Sequence, residues 1–256
     1  ILVRMTILFS PHNRAFDQRL VGGTAVFIAL LFLLHPLQTM AVTYIIQRMT
    51  ILAALFYVSA IILYALARKE YLLNGNFRKG ALLFALAVIS GLLGVFSKQN
   101  AVTFPAAFIL YELFFIRRKD GQMCRKYVYS GIAILLLAFL FVFLGGFLPA
   151  ETDKFTRMEY FSAQLGILHR YLLLLLLPVS QNADYFIRID PPLIGGVQII
   201  GISLILALIA GAVFLFRKNR LISFGILFFM LSMSIESGLI PIRDIMMEHR
   251  LYLPML

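Results

Sequence analysis

Long apolar runs alternate with short polar breaks along this chain, and the breaks are of two kinds. One kind is plainly basic: RKEYLLNGNFRK, RRKDGQMCRK and RKNR. The other mixes functional groups: HPLQTMAVTYIIQR, SKQN, QNADYFIRIDPP and PIRDIMMEHRLYLP. Apolar runs close to or above the roughly 20 residues that carry a helix across a bilayer recur throughout. Backbone groups in lipid must be satisfied inside their own segment, and no stretch alternates apolar and polar with a period of two, so the runs predict helices rather than barrel strands. Spans are expected at about 1–9 (in part), 20–34, 50–67, 80–97, 101–116, 127–147, 195–216 and 221–240. The segment 165–178, LGILHRYLLLLLLP, is short and locally charged, which predicts a re-entrant or interfacial helix. The expected fold is all-α: one polytopic transmembrane helical bundle over residues 1–256, with about eight to ten spans.

Composition agrees with that pattern. Hydrophobic residues make up 61% of the chain and charged residues 14%, against the roughly 45–50% apolar content of soluble domains. The single cysteine, Cys124, excludes an internal disulfide and a cysteine metal cluster. Tryptophan is absent, so an interfacial aromatic belt falls to Tyr and Phe. The chain starts at Ile1 without an initiator Met and stops at Leu256 as another apolar run begins, so it is expected to be part of a longer protein.

Charge orients the spans. Lys and Arg number 14 on the side of Arg68, Arg117 and Arg217, and 8 on the side of Arg48, Lys98 and Arg250, leaving aside Arg4 within the partial first span. The richer side is expected to face the cytoplasm. The net charge of +11 then reads as topology and attraction to anionic lipid, and no nucleic-acid partner is expected, because no soluble basic face with aromatic platforms accompanies it.

Chemistry belongs on the poorer side. Arg48, Lys98 and Arg250, from separate loops, are the candidate ligands for a phosphate or pyrophosphate, Arg for its bidentate geometry and Lys as a point charge. Asp244 and Glu248 stand four residues apart, on one face of any short helix, and with Asp184 they are the candidate general bases. His35, Gln38, Asn100, Asn182, Arg243 and His249 are candidate contacts to a sugar or an acceptor. His35 and His249 lack the spacing to a carboxylate that specifies a metal, so neither metal nor cofactor is expected. Glu112 is read as half of a structural pair with Arg117 or Arg118, and Glu236 as a contributor to the outer cavity.

Four blocks in order, HPLQTMAVTYIIQRMTILAALFYVSAIILYALAR, FSKQNAVTFPAAFILYE, RYLLLLLLPVSQNADY and SIESGLIPIRDIMMEHRLYLP, resemble bacterial membrane proteins with tetratricopeptide repeats. Those are similar to the animal transmembrane and tetratricopeptide-repeat O-mannosyltransferases. The resemblance implies a GT-C-class glycosyltransferase of a bacterial inner membrane, with its active face periplasmic. Such an enzyme takes a sugar from a polyprenyl-phosphate donor to an extracytoplasmic acceptor protein. It further implies an acidic base on an outer loop before Ile1 and repeats after Leu256. An oligosaccharide ligase or polymerase, and a transport or structural subunit, are the alternatives; the absence of internally repeated halves speaks against a transporter.

Overall fold

The computed structural model describes residues 18–116, 152, 154, 156–182, 184–187, 195–238 and 241–256. Among them eight α-helices form and no strand: α1 (Gln18–Leu34), α2 (Gln38–Thr43), α3 (Arg48–Leu72), α4 (Phe77–Ser97), α5 (Phe104–Phe115), α6 (Arg157–Leu176), α7 (Gly196–Lys218) and α8 (Arg220–Met233). Three helical segments among the described residues are long and apolar enough to cross a membrane: Ile45–Leu72, Phe77–Ser97 and Gly196–Lys218. Gly22–Leu34 and Arg220–Met233 are apolar but shorter. The protein is thus a membrane protein whose described residues form helices and no strand. Expected spans 1–9 and 127–147 lie outside the described residues.

Three elements differ from expectation. The span expected at 101–116 is a three-ten turn, Gln99–Thr103, followed by the 12 residues of α5, too short to cross a membrane. The two others differ for local reasons. In place of a short helix at 165–178, α6 covers 20 residues, Arg157–Leu176, about 30 Å at 1.5 Å per residue. Its start is set by a capping box. The Thr156 hydroxyl accepts from the Glu159 backbone N–H at 3.2 Å, while the Glu159 carboxylate accepts from the Thr156 N–H at 2.8 Å, so two otherwise orphaned donors are satisfied. In turn, α8 stops at Met233 rather than reaching 240. The hydroxyls of Ser232 and Ser234 donate back to Phe228 and Leu231 carbonyls at 2.7 Å each, an alternative to helix continuation that serine offers.

The chain divides into two compact units. The first, 1–34 with 52–141, packs α3, α4 and α5 through aromatic rings. Tyr64 stacks on Phe108 with ring centres 4.6 Å apart. Gly91 makes room for Phe104, whose ring would lie 2.5 Å from a Cβ there. At the heart of this unit Glu112, 3% exposed, accepts from Arg68 Nε at 2.9 Å and NH2 at 2.5 Å, and from the Tyr64 hydroxyl at 2.6 Å. The expected structural role of Glu112 has Arg68, on α3, as its partner; Arg117 and Arg118 fall outside the described residues.

The second unit comprises 35–51 and 142–256. Its core joins Leu37, Ile167, Tyr171 and Leu174 to Phe229, Met233, Met246 and Leu251. Gly201 lets the backbone of α7 come against the Leu165 carbonyl of α6, where any Cβ would collide. On this frame the loops 177–187 and 241–250 carry most of the chemically useful side chains.

Candidate functional site

In the second unit an open cleft of about 670 Å³ is lined by Thr39, Met40, Thr43, Tyr44, Gln181, Asn182, Asp184, Asp244, Met247 and Glu248. Three stretches distant in the chain therefore meet: α2 with the residues after it, the loop that follows α6, and the segment leading into the three-ten turn Glu248–Leu251. All three candidate carboxylates, Asp184, Asp244 and Glu248, share the cleft, as does Asn182.

Glu248 is 3% exposed. Its Oε1 accepts from the Asn182 backbone N–H at 2.8 Å and from the Tyr185 hydroxyl at 2.6 Å; its Oε2 accepts from Gln181 Nε2 at 3.1 Å. A carboxylate is an acceptor-only group, so three donors converging on it pin the loop 181–185 to the turn at 248. Burial, then the hydrogen bond to Glu248, push the Tyr185 hydroxyl up to about 12, so it stays a donor at physiological pH. Asp184 and Asp244 are exposed, and their carboxylates are open to the cleft's contents.

Arg250 departs from its expected role as a phosphate ligand. It is 2% exposed, and its NH1 donates to the carbonyls of Ile245 at 3.0 Å and Glu236 at 3.3 Å and to the Tyr160 hydroxyl at 3.2 Å. NH2 donates to the Asp244 carbonyl. The hydrogen bonds of Arg250 go to neutral acceptors, and they draw the segment 244–250 onto α6 and the residues after α8. Tyr160 completes the knot by donating to the Glu236 carbonyl at 2.7 Å, and Tyr171 accepts from the Met247 N–H at 3.2 Å. Glu236 itself is buried, 3% exposed, rather than lining the cleft.

The remaining candidates take several positions. Arg48 opens α3, exposed, outside the cleft lining. Arg243 is exposed beside Asp244, and His249 is buried within the three-ten turn. His35 serves the backbone: its Nδ1 accepts from the Leu37 N–H at 3.4 Å, which leaves Nε2–H to donate to the Leu175 carbonyl at 3.2 Å. Gln38 is buried, its Nε2 reaching Met255 Sδ at 3.4 Å. Lys98 and Asn100 belong to the first unit, where Lys98 caps the end of α4 and Asn100 is buried in the three-ten turn Gln99–Thr103. Among the described residues no cluster of three His, Cys, Asp or Glu side chains is arranged to hold a metal.

Residues that sequence reasoning passed over are the supports: Gln181, Tyr185, Tyr160, Tyr171 and Gln164, whose Nε2 donates to the Ile245 carbonyl at 2.6 Å. Gln181 and Tyr185 flank the candidates in QNADY, which is the one signal they left. A second recess of about 360 Å³, lined by Arg170, Leu173, Leu174, Leu177, Val179, Ser180, Asn182, Tyr185 and Met246, shares Asn182 with the cleft.

No protein-family model matches the chain, and no solved structure matches it. Over 132 residues the chain is 27% identical to the human protein O-mannosyl-transferase TMTC1; the alignment covers 49% of this chain and 15% of that protein. The chain therefore spans only a small part of that relative, and what the two share is a partial likeness to a glycosyltransferase.

Proposed function

We propose that this chain is part of a membrane glycosyltransferase that moves a sugar, mannose or another hexose, from a polyprenyl-phosphate donor to a Ser or Thr hydroxyl of a protein outside the cytoplasm. The observation that carries the reading is the cleft in which Asp184 and Asp244 stand exposed among the amides of Gln181 and Asn182 and the hydroxyls of Thr39, Thr43 and Tyr44. Carboxylates and amides in alternation suit a polyhydroxylated ligand, whose hydroxyls both donate and accept. The partial likeness to a protein O-mannosyl-transferase supports the same reading.

The reaction is a direct displacement. A carboxylate takes the acceptor's hydroxyl proton, the freed oxygen bonds to the anomeric carbon, and the bond from that carbon to the phosphate oxygen breaks with its electron pair leaving on the phosphate. General-base assistance of this kind contributes roughly 10²–10⁴-fold. Asp184 and Asp244 are this chain's candidates for the base. Arg48 is the candidate within the same unit to stabilise the departing phosphate, and the recess with Arg170 among Leu173, Leu174 and Leu177 suits the phosphate end of an isoprenoid. Arg250 acts in this scheme as a positioning residue, holding the loop that carries Asp244. The enzyme sits in a bacterial cytoplasmic membrane with the cleft on the periplasmic side, in a GT-C-like bundle.

Asp184→Asn and Asp244→Asn, each in the complete protein with a polyprenyl-phosphate mannose and a Ser/Thr peptide, test the assignment. The variant lacking the base is expected to lose at least about 100-fold in kcat/KM while melting like the parent. Wild-type rates from both variants would remove the cleft from the chemistry. The mass added to the peptide separates single-hexose transfer from transfer of a preassembled glycan.

A further inference from the structure

We infer that the small, half-open recess between α6, α7 and α8 binds a compact apolar molecule bearing one hydroxyl, of the size of a phenol or a cyclic alcohol. The cavity measures about 130 Å³, and Leu165, Leu168, Leu208, Phe229, Met230 and Met233 make most of its wall. Three polar side chains interrupt that wall: Gln164, Ser237 and Ser234, the last of which already donates its hydroxyl to the Leu231 carbonyl at 2.7 Å. Gln164 is buried, 3% exposed, and its amide has a determined orientation. The Ile245 carbonyl can accept only from an N–H, so the 2.6 Å bond assigns Nε2 to that side and Oε1 to the other. Gln164 Oε1 and Ser237 Oγ are both buried with no hydrogen-bond partner among the described residues.

These two orphans define the ligand. An acceptor without a donor asks for an O–H or N–H, and the Ser237 hydroxyl, which lines the same recess, can donate to an incoming oxygen. A cation or anion is excluded because no charged side chain lines the cavity. Water answers the polar pair but not the space: one water occupies roughly 30 Å³ and wants two to four polar partners, whereas apolar cavities of about 150 Å³ in proteins take benzene. A ring or branched chain with a single hydroxyl meets both demands. Its O–H donates to Gln164 Oε1 and accepts from Ser237, and its carbon body lies against leucine, phenylalanine and the adaptable methionines.

The site touches the cleft through one side chain. The amide that would receive the ligand's hydroxyl also holds Ile245, the residue next to Asp244. Occupancy therefore bears on the loop that presents Asp244. The inference goes beyond the glycosyl-transfer reading and stands without it.

Titration of the purified protein with 4-fluorophenol and with fluorobenzene, followed by ¹⁹F NMR, tests it. The phenol is expected to saturate one site about tenfold more tightly than fluorobenzene, the effect of one hydrogen bond to a buried acceptor. Leu208→Phe, which fills the cavity, should abolish binding of both. Ser237→Ala, which leaves the Gln164 bond to Ile245 in place, should shrink the phenol's advantage while sparing fluorobenzene. Equal affinities, binding undiminished in Leu208→Phe, or no saturable binding together with an ordered water bridging Gln164 and Ser237 would each overturn the inference.

Discussion

Buried charge is handled in opposite ways in the two units. In the first, Arg68 and Glu112, each 3% exposed, neutralise one another directly, with Tyr64 satisfying a further carboxylate lone pair. The pair ties α3 to α5 and is electrically closed. In the second, Glu248 and Arg250 stand two positions apart in the chain, and the hydrogen bonds of each go to neutral groups: amides and a hydroxyl for the carboxylate, carbonyls and a hydroxyl for the guanidinium, whose charge is balanced at longer range by the buried Glu236. Charge in the first unit cross-links helices, whereas in the second it shapes loops. The difference teaches that a buried ion surrounded by backbone is a scaffold for neighbouring exposed groups, here Asp184 and Asp244, and only those remain available to a substrate.

The largest expected effect comes from breaking the closed pair. Glu112→Ala leaves Arg68 buried without its carboxylate and is expected to destabilise the protein by about 3–5 kcal/mol, read as a fall in the melting midpoint in detergent. Replacing both partners with Met should recover most of that loss, since apolar pairs of similar volume replace buried ion pairs at little cost. A double variant as unstable as the single would show that the pair is more than self-neutralising.

A smaller effect on stability, with a larger one on the cleft, is expected at Arg250. Arg250→Met withdraws the donors from the Asp244, Ile245 and Glu236 carbonyls and should cost about 3 kcal/mol. Faster hydrogen exchange should follow in 241–250 while residues 52–116 keep their protection. Uniform loss of protection would contradict a loop-shaping role. Arg250→Lys should restore part of the stability, because an ammonium reaches fewer of the scattered carbonyls.

The smallest effect lies at the exposed start of α6. Thr156→Ala removes the cap and is expected to cost about 1 kcal/mol. Hydrogen bonds from the Thr156 backbone and side chain hold the Glu159 carboxyl below its usual range. A folded-state value depressed in this way contributes stability above the ordinary carboxylate range, roughly pH 4, and that contribution is lost as pH falls through the folded-state value. Protection of the amides in the first turn of α6, taken relative to their intrinsic exchange rate at each pH, should fall on acidification in the parent and respond less in Thr156→Ala.

What could be read from the chain follows a physical divide. Apolar runs announce helices because lipid forces backbone groups to pair locally, and that logic located α3, α4 and α7. Clusters of mixed polar residues marked QNADY and IRDIMMEHR, and these two segments do line one cleft. The role of Arg250 was illegible, since its partners are mostly carbonyls, which every residue carries. Arg68 gave no sign that it would meet Glu112, because nothing local relates a residue on α3 to one on α5. Thr156 and Glu159, by contrast, form a legible capping pattern, T-x-x-E, that the charge of the segment obscured.

The bare backbone of Gly201 against the Leu165 carbonyl has a mechanical consequence. With no side chain between them to act as a bearing, α6 and α7 have little freedom to slide or roll, and together they form a stiff rail. Under the proposed function, adjustment to an incoming ligand would fall to the segments hung from that rail, 177–182 and 241–250, rather than to the helices.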